Sequence, residues 1–289
     1  MKYAYYPGCS LHSTAAEYNE SSEAVCEELG IELEEIEDWN CCGATSAHSL
    51  NHELSIALPL RNLARAEAMG LEVVAPCAAC FNRLKSADAA VKDNSDLQRM
   101  MAEKYDINYE GKIHVLSLLS AISKIGDDAI KAHVKRELSG LKVACYYGCL
   151  LLRPPKIACF DDAENPMSLD NIMADLGAEP VEWPYRNECC GASLSLSKPE
   201  IVVKLTHDIL SMAKLAGAQA IVTACPLCQG NLDMRQCDVE AKYREKFDMP
   251  IFYFTQLMGM AFGLWEGKLG LSKLMVDPEP VLSGMRSAE

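Results

Sequence analysis

Short apolar segments alternate along the chain with longer segments of helical periodicity, and this order of segments occurs twice. Apolar runs rich in Val, Ile and Tyr predict β-strands, whereas apolar residues spaced three or four apart predict amphipathic helices. The first half predicts strands at 3–6, 31–36 and 71–75, and helices at 16–29 and 53–69.

The second half repeats this order, with predicted strands at 141–147, 179–182 and 219–224 and helices at 168–176 and 199–216. Two finer predictions concern the long helices. Pro59 is expected to start or kink the helix at 53–69. The core face of the helix at 199–216 is predicted to consist of Ile201, Leu205, Ile209, Met212 and Ala216.

Alternation of strands and helices predicts an α/β fold with parallel strands and right-handed crossovers. Because the order occurs twice, we expect two tandem homologous domains, each a small, mostly parallel sheet flanked by helices. The charged segment 126–140 lies between the copies. We place the first domain at residues 1–136 and the second at 137–289.

Ten of the fourteen cysteines follow the repeat. The adjacent pair and the following C-x-x-C are separated by 34 residues in both copies, while 31 residues in the first copy and 39 in the second separate the first cysteine from the pair. We call these groups the first cysteine set (Cys9, Cys41, Cys42, Cys77 and Cys80) and the second cysteine set (Cys149, Cys189, Cys190, Cys225 and Cys228).

Each cysteine segment follows a predicted strand, so the thiols of one set should meet at the carboxyl edge of one sheet. Gly43 and Gly191 permit a tight turn after each pair. The helix that follows each C-x-x-C points its N-terminus at the thiols, which is expected to lower their pKa.

The net charge of −14 and the absence of a basic block argue against nucleic-acid binding. No apolar run is long enough for a signal peptide or a membrane span, so a cytoplasmic location is expected. In that compartment, cysteines are more often metal ligands or catalysts than disulfides. Five thiols exceed the four of structural zinc or a cubane cluster and favour a larger iron–sulfur core, with zinc and metal-free redox thiols as alternatives.

The motif C-x31-CCG-x33-C-x-x-C of the first half and its counterpart C-x39-CCG-x33-C-x-x-C in the second half, with the phrase "IVTACPLCQGNLD", resemble the CCG domains in the B subunit of heterodisulfide reductase. The resemblance implies two domains related by a pseudo-twofold axis. It also implies two noncubane [4Fe-4S] clusters that face one another, one on each cysteine set.

The same resemblance implies reductive cleavage of a disulfide between the clusters, which in methanogens is the coenzyme M–coenzyme B heterodisulfide. The chain carries no G-x-G-x-x-G motif, so neither flavin nor nicotinamide is expected on it. Electrons would come from a ferredoxin-like C subunit and a flavin-containing A subunit in an assembly of several chains. Two alternatives stay open: an electron relay to a quinone or protein acceptor, and a zinc-stabilised scaffold.

The remaining candidates are assigned by residue type. Proton donors are sought among the histidines His12, His48 and His207, and anchors for an anionic substrate among Lys198, Lys204, Arg186 and Arg153. The four cysteines outside the repeat, Cys26, Cys145, Cys159 and Cys237, are interpreted as structural or incidental.

Overall fold

A computed structural model of the chain describes residues 1–44 and 47–286. The described part of the first half contains β1 Lys2–Tyr5, α1 Gly8–Leu11, α2 Ala16–Glu28, β2 Glu32–Glu35, α3 Ala47–Leu50, α4 His52–Met69, β3 Val73–Ala75, α5 Ala78–Lys92, α6 Ser95–Tyr105, β4 Val115–Ser117, α7 Leu118–Ser123 and α8 Asp127–Ala132.

The second half contains β5 Lys142–Tyr146, α9 Pro155–Ala158, α10 Ser168–Asp175, β6 Glu179–Pro180, α11 Pro199–Leu215, β7 Ala220–Thr223, α12 Pro226–Met234, α13 Gln236–Tyr243, β8 Ile251–Tyr253, α14 Phe254–Ala261 and α15 Glu279–Arg286. Short 3₁₀ turns lie at Ala192–Leu194, Glu266–Lys268 and Leu271–Lys273.

The two halves form two parallel four-stranded sheets, ordered β2-β1-β3-β4 and β6-β5-β7-β8. The central strands β3 and β7 are wholly buried, as expected for parallel strands covered on both faces by helices. The predicted α/β class with two tandem domains is therefore confirmed. The boundary between residues 136 and 137 falls between the sheets and stays a prediction.

The halves pack against each other reciprocally. Helix α2 of the first half packs on α14 of the second, and α10 of the second half packs on α7 of the first. Because α2 corresponds to α10 and α7 to α14 in the repeat, this exchange of contacts is that of a pseudo-twofold axis. Buried Tyr18 and Tyr253 stack at the junction, with ring centroids 4.1 Å apart.

Pro59 lies inside helix α4, so the prediction that this proline starts the helix is wrong. Helix α4 begins at His52 because the Asn51 side chain caps it, accepting a hydrogen bond from the Leu54 N–H. The helix then continues through Pro59 to Met69.

The predicted core face of α11 is partly wrong. Its buried stripe runs through Val202, Thr206, Ile209 and Ala213, whereas Ile201 is 41% exposed. Apolar side chains cover much of the surface of α11, so periodicity alone is consistent with either of two neighbouring faces as the core face. The face that is buried includes a polar residue, Thr206.

Candidate metal centre

The cysteines lie where the strands of each sheet end. In the first half, Cys9 follows β1, the pair Cys41–Cys42 follows β2, and Cys77 follows β3 as the N-cap residue of α5. Strand β1 lies between β2 and β3, so the three segments leave the sheet as neighbours. The second half repeats this arrangement around β5, with Cys225 as the N-cap residue of α12.

Within each set, the thiols approach one another in pairs. The Sγ atoms of Cys9 and Cys41 are 4.0 Å apart. Cys42 Sγ lies 3.4 Å from Cys80 Sγ, and Cys77 contacts Cys80. Contact between the adjacent thiols of Cys41 and Cys42 joins these groups, so all five thiols of the first cysteine set form one continuous series.

The second cysteine set has the same paired arrangement. The Sγ atoms of Cys149 and Cys189 are 3.6 Å apart, as are those of Cys190 and Cys228. Cys228 in turn contacts Cys225.

The two sets also meet each other. The thiol of Cys77 contacts the thiol of Cys225 across the junction of the halves. Tyr18 donates a hydrogen bond to the carbonyl of Pro76, immediately before Cys77, at 3.4 Å. Packing of the halves therefore determines how closely the two cysteine sets approach.

Buried amide and phenol groups hold the backbone around the adjacent cysteines. In the first half, the N–H of Asn40 donates to Asn62 Oδ1 at 2.9 Å, and Asn62 Nδ2 donates to the Asn40 carbonyl at 2.9 Å. In the second half, Asn231 Nδ2 donates to the Cys190 carbonyl at 3.0 Å. Tyr6 and Tyr146 donate equivalent bonds to the carbonyls of Asn40 and Glu188.

The turn after each pair requires glycine. Gly43 and Gly191 have φ of 72° and 76°, in the left-handed region that other residues rarely adopt. The N–H of Gly191 donates to Cys189 Sγ at 3.3 Å, and Gly43 makes the matching bond to Cys41 Sγ. The predicted role of these glycines in the turn agrees with this geometry.

Where the first cysteine of a set contacts the exposed member of the pair, the pKa of one thiol is lowered and that of the other is raised. Contact with Cys149, together with the Gly191 N–H, lowers the pKa of Cys189 to about 6. The same contact raises the pKa of Cys149 above its usual range. The first cysteine set shows the same relation. Contacts with Cys42 and Cys9 lower the pKa of Cys41, and contact with Cys41 raises the pKa of Cys9.

The lowering of pKa that was expected from the helix N-termini holds for one of the four C-x-x-C thiols, Cys225, whereas the pKa values of Cys77, Cys80 and Cys228 are raised. Contacts with Cys228 and Cys77, and backbone N–H groups of the first turn of α12, hold the pKa of Cys225 well below its usual value. The pKa of Cys77 is raised, because contact with the Cys225 thiol outweighs the helix.

The donor set fits a soft metal core. Two thiolates on one tetrahedral metal ion lie about 3.8 Å apart, given metal–sulfur bonds of about 2.3 Å, and the thiol pairs lie 3.4–4.0 Å apart. Over residues 1–44 and 47–286, no three His, Cys, Asp or Glu side chains converge on one point as ligands of a single ion do. Thiols spread as linked pairs suit a core of several metal atoms.

A cavity of about 190 Å³ adjoins the second cysteine set, and all five cysteines of that set border it. The first half contributes a wall that includes His48, Ala78 and Arg83. None of the described residues around the cavity belongs to the first cysteine set. A metal core held by the second set would therefore lie in this cavity, which the first set does not border.

The predicted histidines are distributed differently around this cavity. His48 borders it. His12 is exposed, packs edge-on against Trp39 and lies 3.3 Å from Glu35. His207 stacks on Tyr243 with centroids 3.7 Å apart and does not line the cavity.

None of the four predicted anchoring cations lines the cavity. Arg153 pairs with Glu164, and Lys204 pairs with Asp208 on the outer face of α11. Arg186 is buried and donates to the Pro166 carbonyl beside Asp170. Lys198 lies at the exposed start of α11.

Sequence reasoning missed Arg83. It lies three residues after Cys80 on α5, one helical turn from a member of the first set, yet it borders the cavity of the second set. The spacing Cys-x-x-Arg is visible in the sequence. Only the packing of one half against the other shows that Arg83 borders the cavity of the second set.

The four remaining cysteines lie outside the sets. Cys26 and Cys145 are buried in the core, 1% and 0% exposed, whereas Cys159 and Cys237 are exposed. These positions agree with the structural or incidental roles expected for them.

The fold and the site together define a tandem α/β protein with two linked thiol clusters at its centre. A family model described as "Cysteine-rich domain" (CCG) matches residues 3–85 and 143–233. The chain belongs to this CCG cysteine-rich domain family.

Two relatives extend the comparison over nearly the whole chain. The 8-methylmenaquinol:fumarate reductase membrane anchor subunit of Wolinella succinogenes is 36% identical over 96% of this chain and 97% of its own length. The B subunit of the ferredoxin/F420H2-dependent CoB-CoM heterodisulfide reductase of Methanosarcina acetivorans is 25% identical over 94% and 93%. The resemblance to the B subunit of heterodisulfide reductase is thus confirmed. Both relatives are reductase subunits, so the comparisons support an iron–sulfur redox subunit.

A solved structure has the same fold. A hypothetical protein from Helicobacter pylori superposes with a TM-score of 0.75 at 13% identity, over 96% of this chain and 52% of that chain. At this identity the likeness concerns the fold alone. In the part of the chain that the structure describes, no helix has both the length and the apolarity to cross a bilayer.

Proposed function

We propose that this chain is the iron–sulfur subunit of a reductase complex, and that it cleaves a small-molecule disulfide beside its second cysteine set. The observation that carries the proposal is the cavity bordered by the thiols of that set. The core that these thiolates would hold occupies the thiol side of this cavity, and a small molecule would reach it from the side that the first half lines.

Each cysteine set would hold one [4Fe-4S] cluster of noncubane type. The chemistry of the donors supports iron–sulfur, because an all-thiolate site excludes magnesium and calcium. When bound, such clusters supply electrons and Lewis-acidic iron. The close approach of Cys77 and Cys225 supports electron passage between the two sets.

The overall reaction consumes two electrons and two protons per disulfide and yields two thiols. His48 borders the cavity and would deliver a proton to a leaving thiolate. The electrons would come from partner proteins, of the ferredoxin-like C and flavin-containing A types. A CoB-CoM heterodisulfide, named for the Methanosarcina relative, is one candidate substrate.

The test is turnover under anaerobic conditions with a reduced viologen dye and a mixed disulfide. The proposal expects release of two thiols per disulfide and slower release in His48→Asn, with unchanged metal content. Absence of thiol release from protein with intact clusters would contradict it.

A second candidate is an electron relay between a quinol and a partner reductase. The name of the Wolinella relative, which is more similar to this chain than the Methanosarcina relative is, favours this candidate. A relay would oxidise a quinol or reduce a partner protein, and it would release no thiol from disulfides. The cytoplasmic location stays a prediction, since that same relative is named a membrane anchor subunit.

A further inference from the structure

A permanent positive charge from the first half borders the space in which the core of the second cysteine set would lie. Arg83 and His48 are the basic side chains among the described residues of that cavity, and no carboxylate is among them. Arginine stays protonated at every pH at which proteins are folded. Although Arg83 follows Cys80 by three residues, its side chain therefore places its charge beside the set of the other half.

Contacts between the two halves hold Arg83 in this position. Its Nη2 donates to Asn82 Oδ1 at 2.8 Å. Asn82 in turn donates to the carbonyls of Leu150 and Arg153, at 3.1 and 2.7 Å, in the segment that follows Cys149. The guanidinium is thus fixed relative to the second half, whose thiols would hold the core.

No carboxylate among the described residues neutralises Arg83. Other arginines of the chain do have such partners: Arg61 pairs with Asp38, and Arg186 lies 3.7 Å from Asp170. One hydrogen bond to Asn82 leaves most of the N–H donors of the guanidinium free. Both its charge and its free donors are therefore available to an anionic, thiolate-bound core in the cavity.

The repeat supplies this cation only once. The residue equivalent to Arg83 in the second half is Asn231, a neutral side chain that donates to the Cys190 carbonyl at 3.0 Å. The arginine one helical turn further on, Arg235, pairs with Asp238 at 2.9 Å. The two cysteine sets have the same thiols but differ in the charge that the opposite half brings to them.

We propose that Arg83 raises the reduction potential of the core on the second cysteine set above that of the core on the first. Reduction adds one electron to a core without forming or breaking a bond, and a neighbouring positive charge stabilises the added negative charge. This inference rests on the proposed function and adds a direction to it. Electrons that arrive at the first set would pass downhill to the second, across the contact of Cys77 with Cys225.

An anaerobic redox titration of the full chain, with dithionite as the reductant, mediator dyes and EPR detection, measures the potential of each core. Cys42→Ala and Cys190→Ala assign the two signals to their sets. Arg83→Gln should make reduction of the second core roughly tenfold less favourable, a fall of about 59 mV for one electron, and should shift the first core less. Arg83→Lys keeps the charge and should stay near the wild-type potential.

Arg99→Gln is the matched control, because Arg99 is exposed on α6 and lies outside the cavity. It should change neither potential. An unchanged second potential in Arg83→Gln, or an equal fall of both potentials, would overturn the inference. If Arg83→Gln does not retain its second core, the wild type decides, because a second core with the lower of the two potentials is equally incompatible with the role given to Arg83.

The same preparations separate this inference from the proposed function. Potentials that depend on Arg83, without release of thiols from disulfides, would remove the cleavage reaction and leave the role of Arg83. Thiol release with potentials that do not depend on Arg83 would remove that role alone. Protein without iron and acid-labile sulfide would remove both.

Discussion

The two members of each adjacent cysteine pair occupy different environments. Cys41 and Cys189 are exposed, whereas Cys42 and Cys190 are 2% and 3% exposed. The outer member contacts the first cysteine of its set, and the inner member contacts the last. One pair can thus join two distant segments of chain around one core.

The difference in pKa between Cys189 and Cys149 predicts which of the two thiols reacts first in iron-free, reduced protein. Because its pKa is lowered to about 6, Cys189 is a thiolate at pH 7 and becomes protonated as the pH falls through 6. Cys149, whose pKa is raised, stays protonated. Alkylation by iodoacetamide, followed by peptide mass spectrometry, should modify Cys189 before Cys149 at pH 7 and slow markedly below pH 6.

Exposed Cys237 lies outside both sets and serves as the internal reference for accessibility in that experiment. Faster modification of Cys149 than of Cys189 would contradict the lowered pKa of Cys189 and the raised pKa of Cys149.

The turn after the second pair gives a prediction about stability. Alanine at Gly191 would place Cβ 2.9 Å from Leu205 Cδ1 at a φ of 76°. Gly191→Ala should lower the free energy of unfolding by about 1–2 kcal/mol and reduce iron content. Urea denaturation and metal analysis measure the two effects.

Gly217→Ala is the control for backbone strain, since φ there is 81° and no atom lies within 4 Å of the added Cβ. It should lose stability without losing iron. Equal iron loss in both variants would show that the turn at Gly191 has no special role.

At the scale of elements, each cysteine pair is carried by an extended segment that side chains from a neighbouring helix hold in place. Asn62 is fully buried on α4 and pairs with both backbone groups of Asn40. Because buried backbone groups need partners, this amide determines where Cys41 leaves the sheet.

Asn62→Ala should therefore cost about 1–3 kcal/mol of stability, because the Asn40 N–H loses its partner and the Asn40 carbonyl keeps only the bond from Tyr6, and it should deplete metal from the first set. Asn94→Ala is matched to it, because Asn94 caps α6 by accepting from the Asp96 and Leu97 N–H groups far from the cysteines. That variant should lose about 1 kcal/mol and keep its metal. Full metal content in folded Asn62→Ala would contradict the positioning role.

Three strands of each sheet and the helices α2, α4, α10 and α11 could be predicted from the sequence, because apolar runs and helical periodicity reflect burial directly. The three-residue strands β4 and β8 and the helix α6 were not predicted. The strand predicted at 179–182 shortens to Glu179–Pro180 at the edge of its sheet, although the Val181 N–H beyond it still donates to the Val143 carbonyl at 2.8 Å. The cysteine sets were equally readable, because their spacing repeats. Asn62 and Arg83 were not, because their partners lie far away in sequence and, for Arg83, in the other half.

At the scale of the whole molecule, the reciprocal packing of the halves brings Cys77 and Cys225 together. Tyr18 contributes the ring that stacks on Tyr253, and Ser21 bonds to Thr255 at 2.7 Å in the same buried junction. A sequence pattern within one half carries no information about such contacts.

Tyr18→Ala should destabilise the chain by about 3–5 kcal/mol, the usual cost of removing a buried aromatic ring. Tyr18→Phe keeps the ring and loses only the bond to Pro76, so it should cost about 1 kcal/mol. Urea denaturation compares the two. A loss below about 1 kcal/mol in Tyr18→Ala would contradict the role given to the stacked pair.

The most direct test of two separate iron–sulfur centres is anaerobic analysis of iron, acid-labile sulfide and zinc, with EPR spectra, in the wild type, Cys42→Ala and Cys190→Ala. Separate cores on the two cysteine sets predict iron and sulfide in the wild type. They also predict that each variant loses or alters one cluster signal while the other persists. Zinc without sulfide, or loss of both signals from either substitution, would contradict the proposal.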